Sequence, residues 1–261
     1  MALKQTTGVV IKVFDHGESD KIVVLYGPQK GKLAGIAKGA KKSKKRFSNK
    51  LELFSRLEIL FDERPRGGLV QITEAELLDS YINLREDYDR YIGATLICEL
   101  MNYWTKENDP DKHVYDLLTW ALQELNRSDL SKTILIFFQV KLFTLLGYKL
   151  HLDSCILCGT TGQSGVPYGF LPSRNGLICT GCRPSIDPRD MISLSLGTIR
   201  LLQNAQELPL EKLNRLRFSK SSIKEALLLF RAYGQYLLQR EITVWNFILG
   251  KQQAASFSPD R

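Results

Sequence analysis

The period of the hydrophobic pattern changes near residue 84, and that change divides the chain. Before it lie short runs rich in β-branched residues: Thr7–Phe14, Lys21–Tyr26, Gly31–Lys38, Leu51–Phe61 and Leu69–Thr73. Turn formers punctuate them at His16-Gly17, Gly27-Pro28 and Arg66-Gly67-Gly68. Five short strands in about 75 residues, with no helix-sized gap, predict a small closed β-barrel.

Beyond residue 84, Tyr88, Tyr91, Ile92, Thr95, Leu96, Glu99 and Leu100 trace a stripe at helical spacing. Further helices are predicted over residues 114–126 and 132–146, the second capped by Ser131 and stopped by Gly147. Two more follow over 194–206 and 222–240, with Ser222 as cap and Glu225 as its capping-box partner. Between the helices, residues 168–171 and 177–179 flank Pro172–Gly176, where Asn175-Gly176 signals the turn of a small β-hairpin. The pattern predicts an α+β multidomain chain. A barrel spans 1–80, and a helical domain spans 81–250 with an inserted element at 153–185. The polar tail, 251–261, is expected to be disordered.

That inserted element carries two matched pairs, Cys155-Ile-Leu-Cys158 and Cys179-Thr-Gly-Cys182, with 20 residues between them. Two C-x-x-C knuckles at this separation suit one tetrahedral zinc ion. Four thiolates close the coordination sphere, so we expect one structural Zn2+ per chain. Two disulfides, or unrelated buried thiols, are the alternatives. Gly159 and Gly181 are placed to relieve the backbone where amides turn toward sulfur. Neither pair has a thioredoxin-like context, and the zinc-deaminase signature is missing: His151-Leu-Asp153 replaces H-x-E, and Ile178 precedes Cys179. His151 is expected to be solvated or satisfied rather than a ligand. Cys98, in an apolar stretch, is expected in the core.

An apolar content of 44 % and a charged content of 25 % describe a globular chain. The sequence has no run of 18 apolar residues and no apolar signal core at its start, so a cytoplasmic location and no membrane association are expected. The net charge is +8, and ten basic residues without one acid lie between Lys21 and Leu51. Lys41, Lys42, Lys44, Lys45 and Arg46 crowd into six positions. Such a stretch points to a polyanion partner, unless it is a solvated charge run. We take Lys38, Lys41, Lys42, Lys44, Lys45, Arg46 and Lys50 as candidate phosphate contacts, with Tyr26 and Phe47 as a stacking platform.

Catalytic motifs are lacking. Gly27–Leu33 is one residue short of a phosphate loop, and Leu33 stands where Ser or Thr would bind magnesium. His16, His113 and His151 carry no motif.

The runs Gly8-Val-Val-Ile-Lys-Val, Glu18-Ser-Asp-Lys-Ile-Val-Val-Leu-Tyr26 and Gly31-Lys-Leu-Ala-Gly-Ile-Ala-Lys-Gly-Ala-Lys-Lys42 resemble the N-terminus of the bacterial RecO family of DNA repair and recombination proteins. The cysteine element fits its zinc-bearing members. The resemblance implies an N-terminal OB-fold, a helical domain and a zinc element. It implies binding of single- and double-stranded DNA, annealing of complementary strands, and no enzymatic activity. Its implied partners are RecR and the single-strand binding protein, in loading RecA onto coated DNA near the nucleoid. By position, Lys38, Lys41, Lys42, Lys44, Lys45 and Arg46 inherit DNA contact, and Cys155, Cys158, Cys179 and Cys182 inherit zinc ligation. The acidic C-terminal tail of the single-strand binding protein would suit an apolar groove rimmed by Arg127, Lys132 and Lys141. Should the basic stretch not bind DNA, Arg174, Arg183 and Arg231 are the next candidates. The competing reading is an RNA- or ribosome-associated zinc-binding protein.

Overall fold

A computed structural model describes residues 3–63, 68–129, 131–161 and 167–250, so the tail at 251–261 lies outside the described residues. The chain forms two compact units, 1–129 and 130–261.

The first unit is built on a closed barrel of five strands: β1 (Leu3–His16), β2 (Asp20–Gly27), β3 (Gly31–Ala37), β4 (Arg56–Asp62) and β5 (Val70–Asp79). Their order around the wall is β1-β2-β3-β5-β4, and β3 with β5 is the parallel pair. This is the OB arrangement. β1 is 14 residues long and serves two neighbours, pairing β4 through Leu3–Val9 and β2 through Val9–His16. A register shift between Val10 and Lys12 bends it from one partner to the other. Val10, Val23, Leu25, Leu33, Leu57, Ile59, Phe61 and Ile72 fill the interior. The predicted fourth strand begins too early. Leu51–Ser55 is a loop in which Leu51 and Phe54 are buried, and Phe54 takes a positive φ of 75° that no strand residue adopts.

Three helices complete this unit: α1 (Asn83–Glu86), α2 (Tyr88–Trp104) and α3 (Lys112–Arg127). α2 packs on β1 and α3 on β2. Side chains alternate along a strand, so Ile22 and Tyr26 point away from the interior that Val23 and Leu25 fill. Both are nevertheless buried, Tyr26 with its hydroxyl 3.5 Å from the Asp111 carbonyl. The α2 stripe also differs from the predicted one. Tyr88 and Tyr91 are exposed, and the buried positions are Gly93, Ala94, Leu96, Ile97, Cys98, Leu100 and Met101. The helix is enclosed by β1, α1 and α3 rather than lying on one surface.

Lys32 ties barrel to helix. Its ammonium donates to the carbonyls of Asn102 (2.7 Å) and Thr105 (2.6 Å) at the end of α2, where the helix dipole favours a cation. Beside it, Gly31 has φ +63°, and a Cβ there would stand 2.4 Å from the Asp109 carbonyl oxygen.

The second unit contains α4 (Ser131–Leu145), α5 (Leu196–Glu207), α6 (Lys220–Leu238) and the short α7 (Trp245–Leu249). α4 is apolar nearly all round and correspondingly buried from Thr133 to Val140. It ends at Gly147 as predicted. Gly147 takes φ +83°, with Tyr148 N–H donating to Phe143 O (2.7 Å) and Gly147 N–H to Thr144 O (3.2 Å). A four-stranded sheet has the order β6-β8-β7-β9, from β6 (His151–Cys155), β7 (Tyr168–Leu171), β8 (Gly176–Ile178) and β9 (Ile192–Leu194). The hairpin of β7 and β8 turns at Asn175, φ 50°, as its sequence predicts.

The capping of α5 and α6 departs from expectation. α6 starts at Lys220, with Ser219 rather than Ser222 accepting at its N-terminus. Glu225 turns outward to α5. Its Oε2 accepts from the Ser195 N–H (2.8 Å), the Ser195 hydroxyl (2.9 Å) and the Thr198 hydroxyl (2.5 Å). Ser195 in turn accepts from the Thr198 N–H. This is a capping box whose acid comes from another helix.

Candidate nucleic-acid interface and metal centre

The loop from Lys38 to Ser55 joins β3 to β4 and is pinned at three points. Ala40, Phe47 and Leu51 sit in the barrel core. At its start, the Asp20 carboxylate accepts the Gly39 N–H at 2.8 Å, and Lys41 N–H donates to the Ser19 carbonyl. The Gly39 amide, then the Ser19 hydroxyl, hold Asp20 below the ordinary carboxylate range. Between these anchors Lys38, Lys41, Lys42, Lys44, Lys45 and Arg46 are exposed. Lys41 pairs with Asp15 at 3.0 Å. Among the described residues, Lys38, Lys42, Lys44, Lys45 and Arg46 have no ion-pair partner. Lys50 is half-buried and donates to the Ala75 carbonyl at 2.8 Å.

The expected stacking platform is not on the surface. Tyr26 is 1 % and Phe47 3 % exposed. Phe47 anchors the loop from inside, with the Arg46 guanidinium 5.3 Å from its ring centre. In OB-folds that bind oligonucleotides the face of strands 2 and 3 is the usual platform. Here α3 of the same unit packs on its β2 part.

The four cysteines come together because β6 and β8 pair in parallel. That pairing sets the first knuckle beside the second: Ile156 N–H donates to Leu177 O at 2.9 Å, and the Ile156 side chain fills the space where a Cβ on Gly176 would stand, 2.2 Å away. Within the first knuckle, Gly159 takes φ +75° and donates to the Cys155 carbonyl; Gly181 takes no positive φ.

The four sulfurs lie within 4.8 Å of one another, and Cys158 and Cys179 are 3.5 Å apart. A tetrahedral ion about 2.3 Å from each sulfur sets the sulfurs about 3.8 Å apart, whereas a disulfide needs about 2.0 Å. All five cysteines are free thiols. The arrangement fits a metal ion held by four thiolates.

The local hydrogen bonding favours thiolate. Burial raises the Cys155 thiol, but the N–H groups of Cys179, Leu157 and Cys158 outweigh it and lower it overall. The Thr160 hydroxyl, 3.2 Å away, and its N–H bring Cys158 down to about 6. Cys182, facing the sulfurs of Cys158 and Cys179, is pushed up to about 12. Such crowding of sulfurs is relieved by a cation at their centre. The sequence signals Thr160 only by its place just after the C-x-x-C-G run. Cys98, outside the cluster, is buried and its thiol is raised by that burial, as a core cysteine should be.

Other expected charges are occupied. Lys141 is half-buried, lowered by that burial, and donates to the Gln206 carbonyl at the end of α5 (2.8 Å). Arg231 is buried at 4 % exposure with Glu241 3.8 Å away, so it offers no surface to DNA. Arg127 and Lys132 are exposed; Arg174 is exposed, and Arg183 reaches the Ser193 hydroxyl. His151 is exposed on β6, apart from the ligand cluster.

Two family models match the chain: recombination protein O, N terminal, over residues 1–81, and recombination protein O, C terminal, over residues 85–245. The chain is 31 % identical over 241 residues to the DNA repair protein RecO of Syntrophus aciditrophicus (strain SB), covering 92 % of this chain and 93 % of that one. It is 33 % identical over 218 residues to the DNA repair protein RecO of Syntrophobacter fumaroxidans, covering 84 % and 86 %. To that of Syntrophotalea carbinolica it is 32 % identical over 240 residues, covering 92 % of each.

Proposed function

This chain belongs to the RecO family of DNA repair proteins, and on that footing we propose that it is a non-enzymatic recombination mediator. It binds single- and double-stranded DNA and anneals complementary strands. With RecR it helps load RecA onto DNA coated by the single-strand binding protein, whose acidic tail it engages. It works in the cytoplasm, at the nucleoid.

The observation that carries this reading is the loop of Lys38–Arg46, a row of exposed cations on a backbone anchored in the barrel core. Two complementary strands repel through their phosphates. Cations that neutralise phosphate release condensed counterions and lower that barrier without reading bases. Because Ala40, Phe47 and Leu51 fix the loop, little ordering entropy is lost on binding. Lys38, Lys41, Lys42, Lys44, Lys45 and Arg46 make the contacts. Lys50, tied to Ala75, adds charge at the rim.

Cys155, Cys158, Cys179 and Cys182 hold one Zn2+. With four thiolate ligands the ion is structural and supplies folding energy to the small sheet.

The test is strand annealing with naked and coated oligonucleotides, for the wild type and for the variant with Lys41, Lys42, Lys44, Lys45 and Arg46 all replaced by Ala. The variant should anneal poorly. The slope of its log affinity against log salt should shrink by about 2–3, taking ~0.7 per phosphate for three or four contacts. Metal content and thermal unfolding should match the wild type. An unchanged salt slope places DNA elsewhere, and wild-type protein that anneals nothing overturns the reading.

A further inference from the structure

The division into units redistributes the charge. Residues 1–129 hold 20 basic and 20 acidic side chains, and residues 130–261 hold 16 and 8. The unit that contains the basic loop is therefore neutral overall, and the whole net charge of +8 belongs to the other. Within that second unit the cations are concentrated. Lys212, Arg215, Arg217, Lys220 and Lys224 fall in 13 residues with no acid among them.

All five are exposed. Among the described residues none is in an ion pair. The segment is nevertheless well fixed. Leu213 is fully buried, and Phe218 packs edge-on against Phe137 with ring centres 5.7 Å apart. Ser219 caps α6. Glu225, the acid just beyond Lys224, is turned to the start of α5, where one of its carboxylate oxygens accepts three hydrogen bonds, and among the described residues neither it nor Glu211, just before Lys212, is in an ion pair with these cations. The local design repeats that of the loop at 38–50: apolar anchors face inward, and exposed cations stand between them.

We infer that residues 212–224 form a second phosphate-contact surface, which takes a DNA strand separate from the one on the barrel loop. This rests on the annealing reading above and adds to it. Annealing brings two strands together, and a second cation surface would let one chain hold both. Lys212, Arg215, Arg217, Lys220 and Lys224 would neutralise the phosphates of the second strand without regard to its sequence.

The test replaces these five residues together by Ala in the full-length chain and compares three proteins: wild type, this variant and the barrel-loop variant. A fourth protein, with the exposed Lys106, Lys149, Arg189, Arg200 and Arg240 replaced by Ala, removes the same five charges from scattered positions and controls for net charge. The key readout is energy transfer between two labelled oligothymidylates, which cannot pair with each other and so report co-binding alone. The wild type should bring the two strands together. The 212–224 variant should still bind one strand through the barrel loop, lose co-binding, and anneal complementary strands at least ~10-fold more slowly. The scattered variant should keep co-binding. Retained co-binding in the 212–224 variant, or equal loss in the scattered one, overturns the inference. In either case annealing by the wild type, and its loss in the barrel-loop variant, leaves the broader reading standing. If the wild type neither binds nor anneals, the broader reading fails.

Discussion

In the barrel, 14 buried apolar side chains meet inside one closed wall, contributed by all five strands and by the loop at 38–51. In the four-stranded sheet, the core on the cysteine side comprises, among the described residues, Leu171, Ile178 and Met191, with Ile156, Cys182 and Ile186 at its margin. The other face leans on α6, where Phe170 packs edge-on to Tyr233. Both regions are made of short strands, but their stability has different sources. The barrel closes around one continuous apolar core. Strands of three to five residues with so small a core are marginal alone, and on the proposed function a metal held by the four cysteines would supply the missing cross-link.

The largest effect should come from breaking the weaker side. Stripping the metal with a chelator removes an interaction worth roughly 10–16 kcal/mol in small zinc peptides, and changing Cys155 to Ser weakens it by the loss of one ligand. Amide exchange in β6, β7, β8 and β9 should then accelerate by orders of magnitude while the barrel amides keep their protection. Equal loss of protection in both regions would mean that the barrel also depends on the metal. The converse experiment is Phe61→Ala, which empties a fully buried site in the barrel and should cost about 3–5 kcal/mol. Chemical denaturation measures the loss, and metal content should stay at the wild-type ratio. Glu225→Ala is milder. It leaves the Ser195 N–H without its acceptor, and about 1–2 kcal/mol should be lost from the second unit alone. The smallest change is Asp20→Ala at the mouth of the basic loop. Asp20 is held below the usual carboxylate range, so its contribution is present above that range and fades as pH falls through it. The variant should show several-fold faster exchange at the Gly39 amide at neutral pH, and wild type should approach it in acid.

How much of this was legible in the sequence follows the same division. Barrel strands announce themselves through β-branched runs and glycine turns, and four of the five fall where predicted. The fourth misleads because Leu51 and Phe54 are apolar for a different reason: they plug the base of a loop. The two C-x-x-C pairs point to a shared cluster without any structure, and their sulfurs do lie together. Of the two strands that align them, β8 belongs to the predicted hairpin, but β6 is only five residues long and has no clear alternation. Tyr26 and Phe47 mislead because an aromatic beside cations reads equally well as platform or anchor. Glu225 has the right spacing for a box with Ser222, but α5 lies within reach and Ser195 offers it more donors. The charge of each unit is simple arithmetic once the boundary at 129 is known, and no local pattern marks that boundary.

The join between Gly31, Lys32 and the segment after α2 limits how this barrel can be handled and inherited. A chain cut after Tyr81, where the first family match ends, would lose α2 and α3. It would bare Ile22 and Tyr26 to water and leave the Lys32 ammonium without its two carbonyls. Such a fragment should be insoluble, whereas one ending near Asp129 should express as a monomeric, folded protein. The barrel is therefore not a portable cassette. Any gene fusion or domain exchange that preserves it must carry the first three helices along, and their sequences are constrained by a partner that comes before them in the chain.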